Sequence, residues 1–244
     1  MLLFRGQRVD DAEQVAFSRR FGPLETTIRT VVSHQGYLPE ISNLANVDAE
    51  DRIISAGDKR ILFNAGNQMW HTDSSFKRVP ALASLLSGRE VPPEGGETEF
   101  ASMRIAYERL PDATRRLLEG RVAVHSFEYS RGLVGDGAPG ARARRAGAAG
   151  AAGAGARQSR ERPQGVLRRL ARLRDRRHAD RGGPHAPARS ARRGRPRRSS
   201  SHTHRWRPGD LVMWDNRCVL HRGRPWDVGR YRRVMHRRPS RATA

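Results

Sequence analysis

A long segment, residues 137–203, has too few apolar side chains to build a hydrophobic core. It contains no Phe, Tyr, Trp, Ile, Met, Asn, Lys or Cys. Apart from alanine, the side chains that could fill a core are Val166, Leu167, Leu170 and Leu173. Burial of so little apolar surface cannot offset the entropy lost when a chain is ordered. We therefore predict that residues 137–203 are disordered or non-native and that the fold is built from the flanking parts of the chain.

The same segment carries most of the net charge. The chain has 244 residues and a formal net charge of +22, and residues 137–203, with 19 Arg and 3 acidic residues, contribute +16 of it. A basic arm that binds nucleic acid is one interpretation, but the segment lacks the aromatic side chains on which bases stack. Nucleic acid is therefore disfavoured as a partner. A nonenzymatic basic protein that binds nucleic acid through residues 137–203 is kept as an alternative.

A frameshift explains the composition better. The chain has 45 Arg against 2 Lys, which indicates GC-rich DNA, and GC-rich codons translated out of frame yield Arg, Ala, Gly and Pro. A one-base shift over residues 164–183 permits a sequence with strand-like alternation, and the other offset does the same for the tail. We interpret residues 136–203 as a low-complexity, frameshifted segment and residues 238–244 as an aberrant tail.

The nucleotide sequence across codons 136–204 tests this interpretation. We expect a one-base shift to replace the Arg-rich run with alternating apolar and polar residues. A sequence without such a frame, combined with salt-sensitive DNA binding that is lost when residues 137–203 are deleted, would instead favour a genuine basic insert.

Local patterns predict the elements on either side of the segment. Asp10 or Asp11 caps a helix that ends at Gly22-Pro23, and residues 101–118 form a second helix, with Asp112 capping its second half after Pro111. Short apolar runs predict strands at residues 2–4, 40–44, 60–63, 81–88, 98–100 and 122–129.

A candidate metal site lies in residues 67–76. His71 and Asp73 are two residues apart, so on an extended strand their side chains point to the same face. One imidazole and one carboxylate are two of the three ligands of the 2-His-1-carboxylate facial triad, which holds Fe(II) and leaves positions open. His221 is the best candidate for the second histidine, because the apolar residues before it predict a buried strand. A His-x-Asp pair alone is weak support, since it is frequent by chance.

Five motifs in a fixed order strengthen this hypothesis. They are residues 67–76, Gly95-Gly96-Glu97-Thr98-Glu99-Phe100, Trp206-Arg207-Pro208-Gly209-Asp210, Trp214-Asp215-Asn216 with His221, and Arg232-Arg233-Val234-Met235-His236-Arg237. Together they resemble the taurine / 2,4-dichlorophenoxyacetate dioxygenase family of Fe(II)- and 2-oxoglutarate-dependent oxygenases. The resemblance covers the N-terminal part of the oxygenase domain, residues 1–135, and its C-terminal part, residues 204–237. The chain begins like the family's strand-helix unit already in progress, so we expect a preceding strand and helix to be missing.

The resemblance implies both fold and activity. The fold would be mainly β with flanking helices, a double-stranded β-helix or jelly roll, here incomplete. The activity would be that of an Fe(II)- and 2-oxoglutarate-dependent dioxygenase that consumes O2, hydroxylates a small anionic organic substrate and releases succinate and CO2. Residues 71–76 and 125–132 favour an aryloxyalkanoate-like over a taurine-like substrate. An inactive frameshifted fragment of such an enzyme is the second alternative.

The resemblance also implies roles for individual residues. The implied iron ligands are His71, Asp73 and His221. Thr98 and Arg233 would bind the distal carboxylate of 2-oxoglutarate, since a guanidinium is planar and can bind a carboxylate through two hydrogen bonds. Arg232 is the adjacent rival of Arg233, but on a strand it would face the opposite way. Arg237 and Asn67 would contact the substrate, with Arg237 at its anionic group. No catalytic residue is implied beyond the metal ligands.

The remaining polar residues suggest no other site. Glu97 and Glu99 are expected to face solvent, and His34, His125 and His236 to be structural. The single cysteine, Cys218, excludes an internal disulfide and fits a reducing cytoplasm. The apolar run at residues 1–4 is too short for a signal peptide or a membrane span. We expect a cytoplasmic protein without a membrane partner, and self-association into a homo-oligomer stays open.

Overall fold

The computed structural model of the protein describes residues 1–25, 40–77, 79–118, 122–125, 171–174 and 200–241. The elements of these residues follow in the order β1 (Leu2–Phe4), α1 (Asp11–Arg19), β2 (Ser42–Asn43), α2 (Lys59–Ala65), a 3-10 turn (Gly66–Gln68), β3 (Ala81–Glu90), β4 (Thr98–Ser102), α3 (Met103–Glu108), α4 (Asp112–Leu118), β5 (Val122–His125), β6 (Ala171–Arg174), β7 (Ser201–His204), β8 (Leu211–Asp215), β9 (Val219–Gly223) and β10 (Val234–Arg241). The predicted mainly β fold with flanking helices is confirmed.

The strands form three antiparallel sheets. The largest has the order β1-β8-β3-β10-β2, the second the order β7-β4-β9, and β5 pairs with β6. Residues from the first two sheets meet in one buried cluster, made of Leu86, Phe100, Val212, Trp214 and Met235. Phe100 is the member from β4, so the core lies between the two sheets, as in a β-sandwich.

Helix α1 covers the outer face of the large sheet. Asp10 caps it, since its carboxylate accepts the N–H of Glu13 while the Glu13 carboxylate accepts the N–H of Asp10, which forms a capping box. Gln14 is fully buried under the helix, where it donates to the carbonyl of His236 and accepts from the Ser87 hydroxyl. These bonds attach α1 to both β3 and β10.

One of the predicted strands is a helix. Residues 60–63 were expected to form a strand but lie in α2, because the Asp58 carboxylate accepts the N–H of Arg60 and begins a helix there. The helix expected at residues 101–118 is divided into α3 and α4, and α4 begins at Asp112, where the second half was predicted to start. Pro111 stands between them, and its ring cannot continue a preceding helix.

Both suspected frameshifted stretches contain strands within the described residues. Residues 171–174 form β6, and β7 crosses the expected boundary at residue 203. In the tail, β10 continues to Arg241, paired with β3 throughout. Arg238 is buried there, and its guanidinium donates to the carbonyl of Glu40. Residues 136–170, 175–199 and 242–244 lie outside the described residues.

Candidate metal and cosubstrate site

The two histidines of the predicted triad face each other across a backbone bridge. His221 lies in the middle of β9, and its N–H and carbonyl exchange hydrogen bonds of 2.9 and 3.0 Å with those of His71. Directly opposed residues of an antiparallel pair place their side chains on the same face. Their ring centroids are therefore only 4.2 Å apart.

Asp73 completes the group, although not by the route predicted from the sequence. The expected strand at residues 71–73 is wrong: only His71 makes a bridge, and a turn begins at Asp73. The Asp73 carboxylate oxygens nevertheless lie 3.9 Å from His71 Nε2 and 3.9 Å from His221 Nε2. One ligand atom from each of the three residues lies within 4.8 Å of the others. These distances are compatible with one shared cation.

The protonation states of the triad fit a divalent metal. The Nδ1 of His71 lies 2.7 Å from the carbonyl of Met69, which can only accept a hydrogen bond, so in the neutral ring Nε2 carries the free lone pair. Burial lowers the pKa of His221 well below its ordinary value, and the adjacent His71 lowers it further. Burial raises the pKa of Asp73, but Arg237, the two histidines and the Ser84 hydroxyl together outweigh it and lower the pKa. Two imidazoles and one carboxylate are a donor set suited to Fe(II).

Arg237 contacts one of the three triad residues directly. From β10 it donates to Asp73 Oδ1 at 2.7 Å, an ion pair that the sequence did not predict. A cation bound between the three ligands would compete with this guanidinium for the Asp73 carboxylate. Arg237 is thus close enough to the metal position to meet the anionic end of a molecule bound there.

Arg233 is a buried cation with an unoccupied hydrogen-bonding capacity. It is 8% exposed, and its guanidinium carbon lies 4.9 Å from the ring centroid of Trp226. No carboxylate within the described part of the chain forms an ion pair with it, and its Nε has no hydrogen-bond partner there. Burial lowers the pKa of Arg233 to about 10, so the side chain stays protonated at neutral pH. A buried unpaired charge is costly, so a bound anion would stabilise it.

Two neighbours shape the space around Arg233. Gly96 has φ +67°, and a Cβ there would lie 2.9 Å from Pro92 and 3.3 Å from Arg233 Nε, so only glycine allows this close approach. The rival Arg232 faces outward instead, with its guanidinium within 2.7 Å of Glu90 and 2.6 Å of Asp51. The predicted opposite orientation of the two arginines is confirmed.

Thr98 lies on β4 and lines the same pocket as the two histidines and Arg233. It is 3% exposed, and its hydroxyl accepts a hydrogen bond of 2.9 Å from the indole N–H of Trp206. Because the indole can only donate, the hydroxyl proton of Thr98 remains available to a second acceptor. Sequence reasoning assigned no role to Trp206, although it begins one of the motifs that carry the family resemblance.

One pocket connects these residues. Six of the seven predicted site residues line it: Asn67, His71, Thr98, His221, Arg233 and Arg237. Asp73 is buried beside it in contact with Arg237. The pocket wall also includes apolar side chains that sequence reasoning missed, among them Leu44, Ile61, Trp226 and Val228. Their apolar character alone could not identify them, since any core residue shares it.

Two of the three histidines that were expected to be structural have structural partners. His125 Nδ1 lies 2.9 Å from the Ser75 hydroxyl, and His236 Nδ1 lies 2.6 Å from Asp11. His34 lies outside the described residues. The expectation that Glu99 faces solvent is wrong, because its side chain is 18% exposed and pairs with Arg222 at 2.5 Å. Among the helices of the described residues, none has the length and apolarity needed to cross a membrane.

Known proteins resemble this chain over nearly its whole length. The sequence matches the family described as taurine catabolism dioxygenase TauD, TfdA family over residues 1–199 and 195–238. It is 34% identical to the alpha-ketoglutarate-dependent 2,4-dichlorophenoxyacetate dioxygenase of Burkholderia sp. (strain RASC), over 93% of this chain and 77% of the relative. It is 33% identical to the (S)-phenoxypropionate/alpha-ketoglutarate-dioxygenase of Delftia acidovorans, over 98% of this chain and 81% of the relative.

A solved structure gives the same result for the fold. The crystal structure of AAD-2 in complex with Mn(II) and N-oxalylglycine superposes with a TM-score of 0.75 at 30% identity, over 100% of this chain and 84% of that one. The expected jelly-roll fold is thereby confirmed. So is the enzyme class, a 2-oxoglutarate-dependent non-haem iron dioxygenase with Fe(II), 2-oxoglutarate and O2 as its cofactors and cosubstrates. The family match also runs through all of residues 136–203, where the motifs fail, and the chain belongs to the taurine catabolism dioxygenase TauD, TfdA family.

Proposed function

We propose that this protein oxidises a small anionic organic substrate of the aryloxyalkanoate type, with release of succinate and CO2. The observation that carries the proposal is the arrangement of the pocket. A His-Asp-His group and two arginines, Arg233 and Arg237, line or adjoin the same space. Each group has a separate role, in which the triad holds the metal, Arg233 holds the cosubstrate and Arg237 holds the substrate.

His71, Asp73 and His221 would hold Fe(II). When bound, the ion supplies the activation of O2 that hydroxylation of an unactivated carbon requires. His71 and His221 line the pocket and Asp73 lies buried beside it, so an ion held by the three would have one side open to other ligands in the pocket.

Arg233 and Thr98 would bind the distal carboxylate of 2-oxoglutarate. The guanidinium offers charged donors, and the Thr98 hydroxyl, already accepting from Trp206, offers a further proton. A carboxylate at this position would also provide the anionic partner that the buried Arg233 lacks among the described residues. That AAD-2 was solved with N-oxalylglycine, itself a dicarboxylate, supports a dicarboxylate here.

Arg237 and Asn67 would contact the substrate. Arg237 supplies a positive charge close to the metal position, which suits an acid whose carboxylate lies near the carbon to be oxidised. The apolar wall, including Leu44 and Ile61, suits an apolar body attached to that acid. Relatives named for 2,4-dichlorophenoxyacetate and (S)-phenoxypropionate support an aryl ether over taurine, which has no such body.

A substrate panel tests this proposal. We expect the full chain to release succinate when given Fe(II), 2-oxoglutarate, O2 and 2,4-dichlorophenoxyacetate. We expect kcat/KM for taurine to be at least about tenfold lower, because taurine buries no apolar group against the pocket wall. Reactions without Fe(II) provide the blank. Faster turnover of taurine would contradict the aryloxyalkanoate assignment, and no succinate with any acid would contradict the activity itself.

A further inference from the structure

We propose that Ser84 and Asn216 are positioning residues that hold the Asp73 carboxylate in place for the metal. Neither belongs to the metal ligand set, and neither lines the pocket. The inference rests on the proposed metal site, because it concerns the orientation of one of its ligands. Both residues are buried, at 0% and 4% exposure.

A chain of hydrogen bonds leads from the core to Asp73. The indole N–H of Trp214 donates to Asn216 Oδ1 at 3.0 Å, and Asn216 Nδ2 donates to the Ser84 hydroxyl at 2.9 Å. The Ser84 hydroxyl then donates to Asp73 Oδ2 at 2.6 Å. The backbone N–H of Asp73 also donates to Asn216 Oδ1, at 3.3 Å. Asn216 therefore contacts both the backbone and, through Ser84, the side chain of the same residue.

Chemistry fixes the direction of every bond in this chain. Two groups that can only donate, the Trp214 indole and the Asp73 N–H, face one atom of the Asn216 amide, so that atom must be the oxygen. The amide NH2 then faces Ser84 and occupies a lone pair of its hydroxyl. The hydroxyl proton is left to point at Asp73 Oδ2. Reversal of any one bond would leave two donors facing each other in the core.

The result is a carboxylate with a fixed orientation. Asp73 follows a bridge and begins a turn, so no strand holds its side chain in register. Ser84 lies on the long central strand β3, and the backbone N–H of Asn216 is bonded to the carbonyl of Leu82 on the same strand, at 2.9 Å. The sheet thus fixes the orientation of the Asp73 side chain, which the turn alone would leave free. Outer partners of this kind orient metal ligands and typically change metal affinity by about 10- to 100-fold.

The chain contains a matched control for Ser84. Ser87 lies three residues along β3 and is 2% exposed, and its hydroxyl likewise donates to a buried side chain, that of Gln14. Side chains alternate along a strand, so Ser84 faces Asp73 while Ser87 faces α1. Serine-to-alanine changes at the two positions remove the same group from the same strand.

Titration of the metal-free full chain with Co(II) tests the inference. We expect the dissociation constant of Ser84→Ala to rise about 10- to 100-fold and that of Ser87→Ala to change less than about twofold. Asn216→Ala and Ser84→Ala combined should cost less than the sum of the two single changes, because one of the two contacts of Asn216 with Asp73 runs through the Ser84 hydroxyl. The Co(II) absorption spectrum should shift in Ser84→Ala and stay unchanged in Ser87→Ala. Ser84→Cys, whose thiol is a poor donor of similar size, should behave like Ser84→Ala and serves if the alanine variant folds poorly.

Each outcome identifies which proposal fails. Equal Co(II) affinities and spectra for the Ser84 and Ser87 variants, with tight binding by the unchanged chain, would overturn the positioning role alone. Absence of Co(II) binding by the unchanged chain, or unaltered binding by His71→Ala, would overturn the metal site itself. Thermal melting of the metal-free variants reports any loss of folding separately.

Discussion

His71→Ala should abolish Fe(II)-dependent succinate formation. His71 would supply one of three metal ligands, and its ring nitrogen lies 3.9 Å from the Asp73 carboxylate with its lone pair directed into the site by the Met69 carbonyl. Loss of a direct ligand should cost more than loss of an outer partner, which lowers affinity or activity by about 10- to 100-fold. We therefore expect succinate release, measured at fixed Fe(II) and 2-oxoglutarate, to fall by more than about 100-fold.

His202→Ala is the matched control for this variant. His202 lies on β7 of the same sheet as His221 but is exposed to solvent. Its replacement should leave both activity and melting temperature close to those of the unchanged chain, since exposed substitutions usually have small effects. Equal activity of His71→Ala and His202→Ala would contradict the assignment of His71.

Arg233→Ala should produce the largest change in the requirement for 2-oxoglutarate. The buried guanidinium would form a charged pair with the distal carboxylate, and truncation of one member of such a pair costs about 2–5 kcal/mol. The 2-oxoglutarate concentration for half-maximal succinate release should therefore rise by roughly 30-fold to several thousand-fold. The dependence on Fe(II) should change little, because Arg233 contacts no triad residue.

Arg232→Ala tests whether this effect belongs to the site. Arg232 is adjacent in sequence but pairs with Glu90 and Asp51 at the surface, and exposed pairs contribute at most about 1 kcal/mol to stability. We expect its replacement to lower the melting temperature slightly and to leave the response to 2-oxoglutarate unchanged. If the two variants shifted that response equally, Arg233 would not be the cosubstrate arginine.

The sequence could select residues that line one pocket because they belong to short, ordered motifs. The backbone arrangement that brings His71, Asp73 and His221 together could not be predicted. The His-x-Asp spacing suggested a common strand, whereas the histidines meet through a bridge between His71 and His221, and Asp73 reaches them from a turn. A pairing between residues 150 positions apart depends on tertiary contacts that no local pattern contains.

The second discrepancy concerns the polar residues around the ligands. Ser84 and Asn216 are 132 positions apart. Ser84 looks like an ordinary strand residue, and the motif that contains Asn216 assigns it no role. Their burial and their hydrogen bonds to each other and to Asp73 indicate the role. The sequence also did not predict the contact between Arg237 and Asp73. Two separate motifs placed these residues in the site, but neither motif specifies that the side chains touch.

The Arg-rich segment contains short strands that its composition did not predict. Its composition predicted no core, yet residues 171–174 pair with β5 and residues 201–203 belong to β7. Backbone hydrogen bonding requires no apolar side chain, so a composition argument cannot exclude short strands of this kind. The nucleic-acid alternative, the cytoplasmic location and the oligomeric state stay predictions.

Anaerobic equilibrium dialysis of the full chain against Fe(II) tests the central claim most directly, namely that His71, Asp73 and His221 share one ferrous ion. We predict one iron per chain for the unchanged protein and none for Asp73→Ala at the same free Fe(II) concentration, with Ser87→Ala binding like the unchanged protein. Retention of one iron per chain by Asp73→Ala, or no bound iron in the folded unchanged protein, would contradict it.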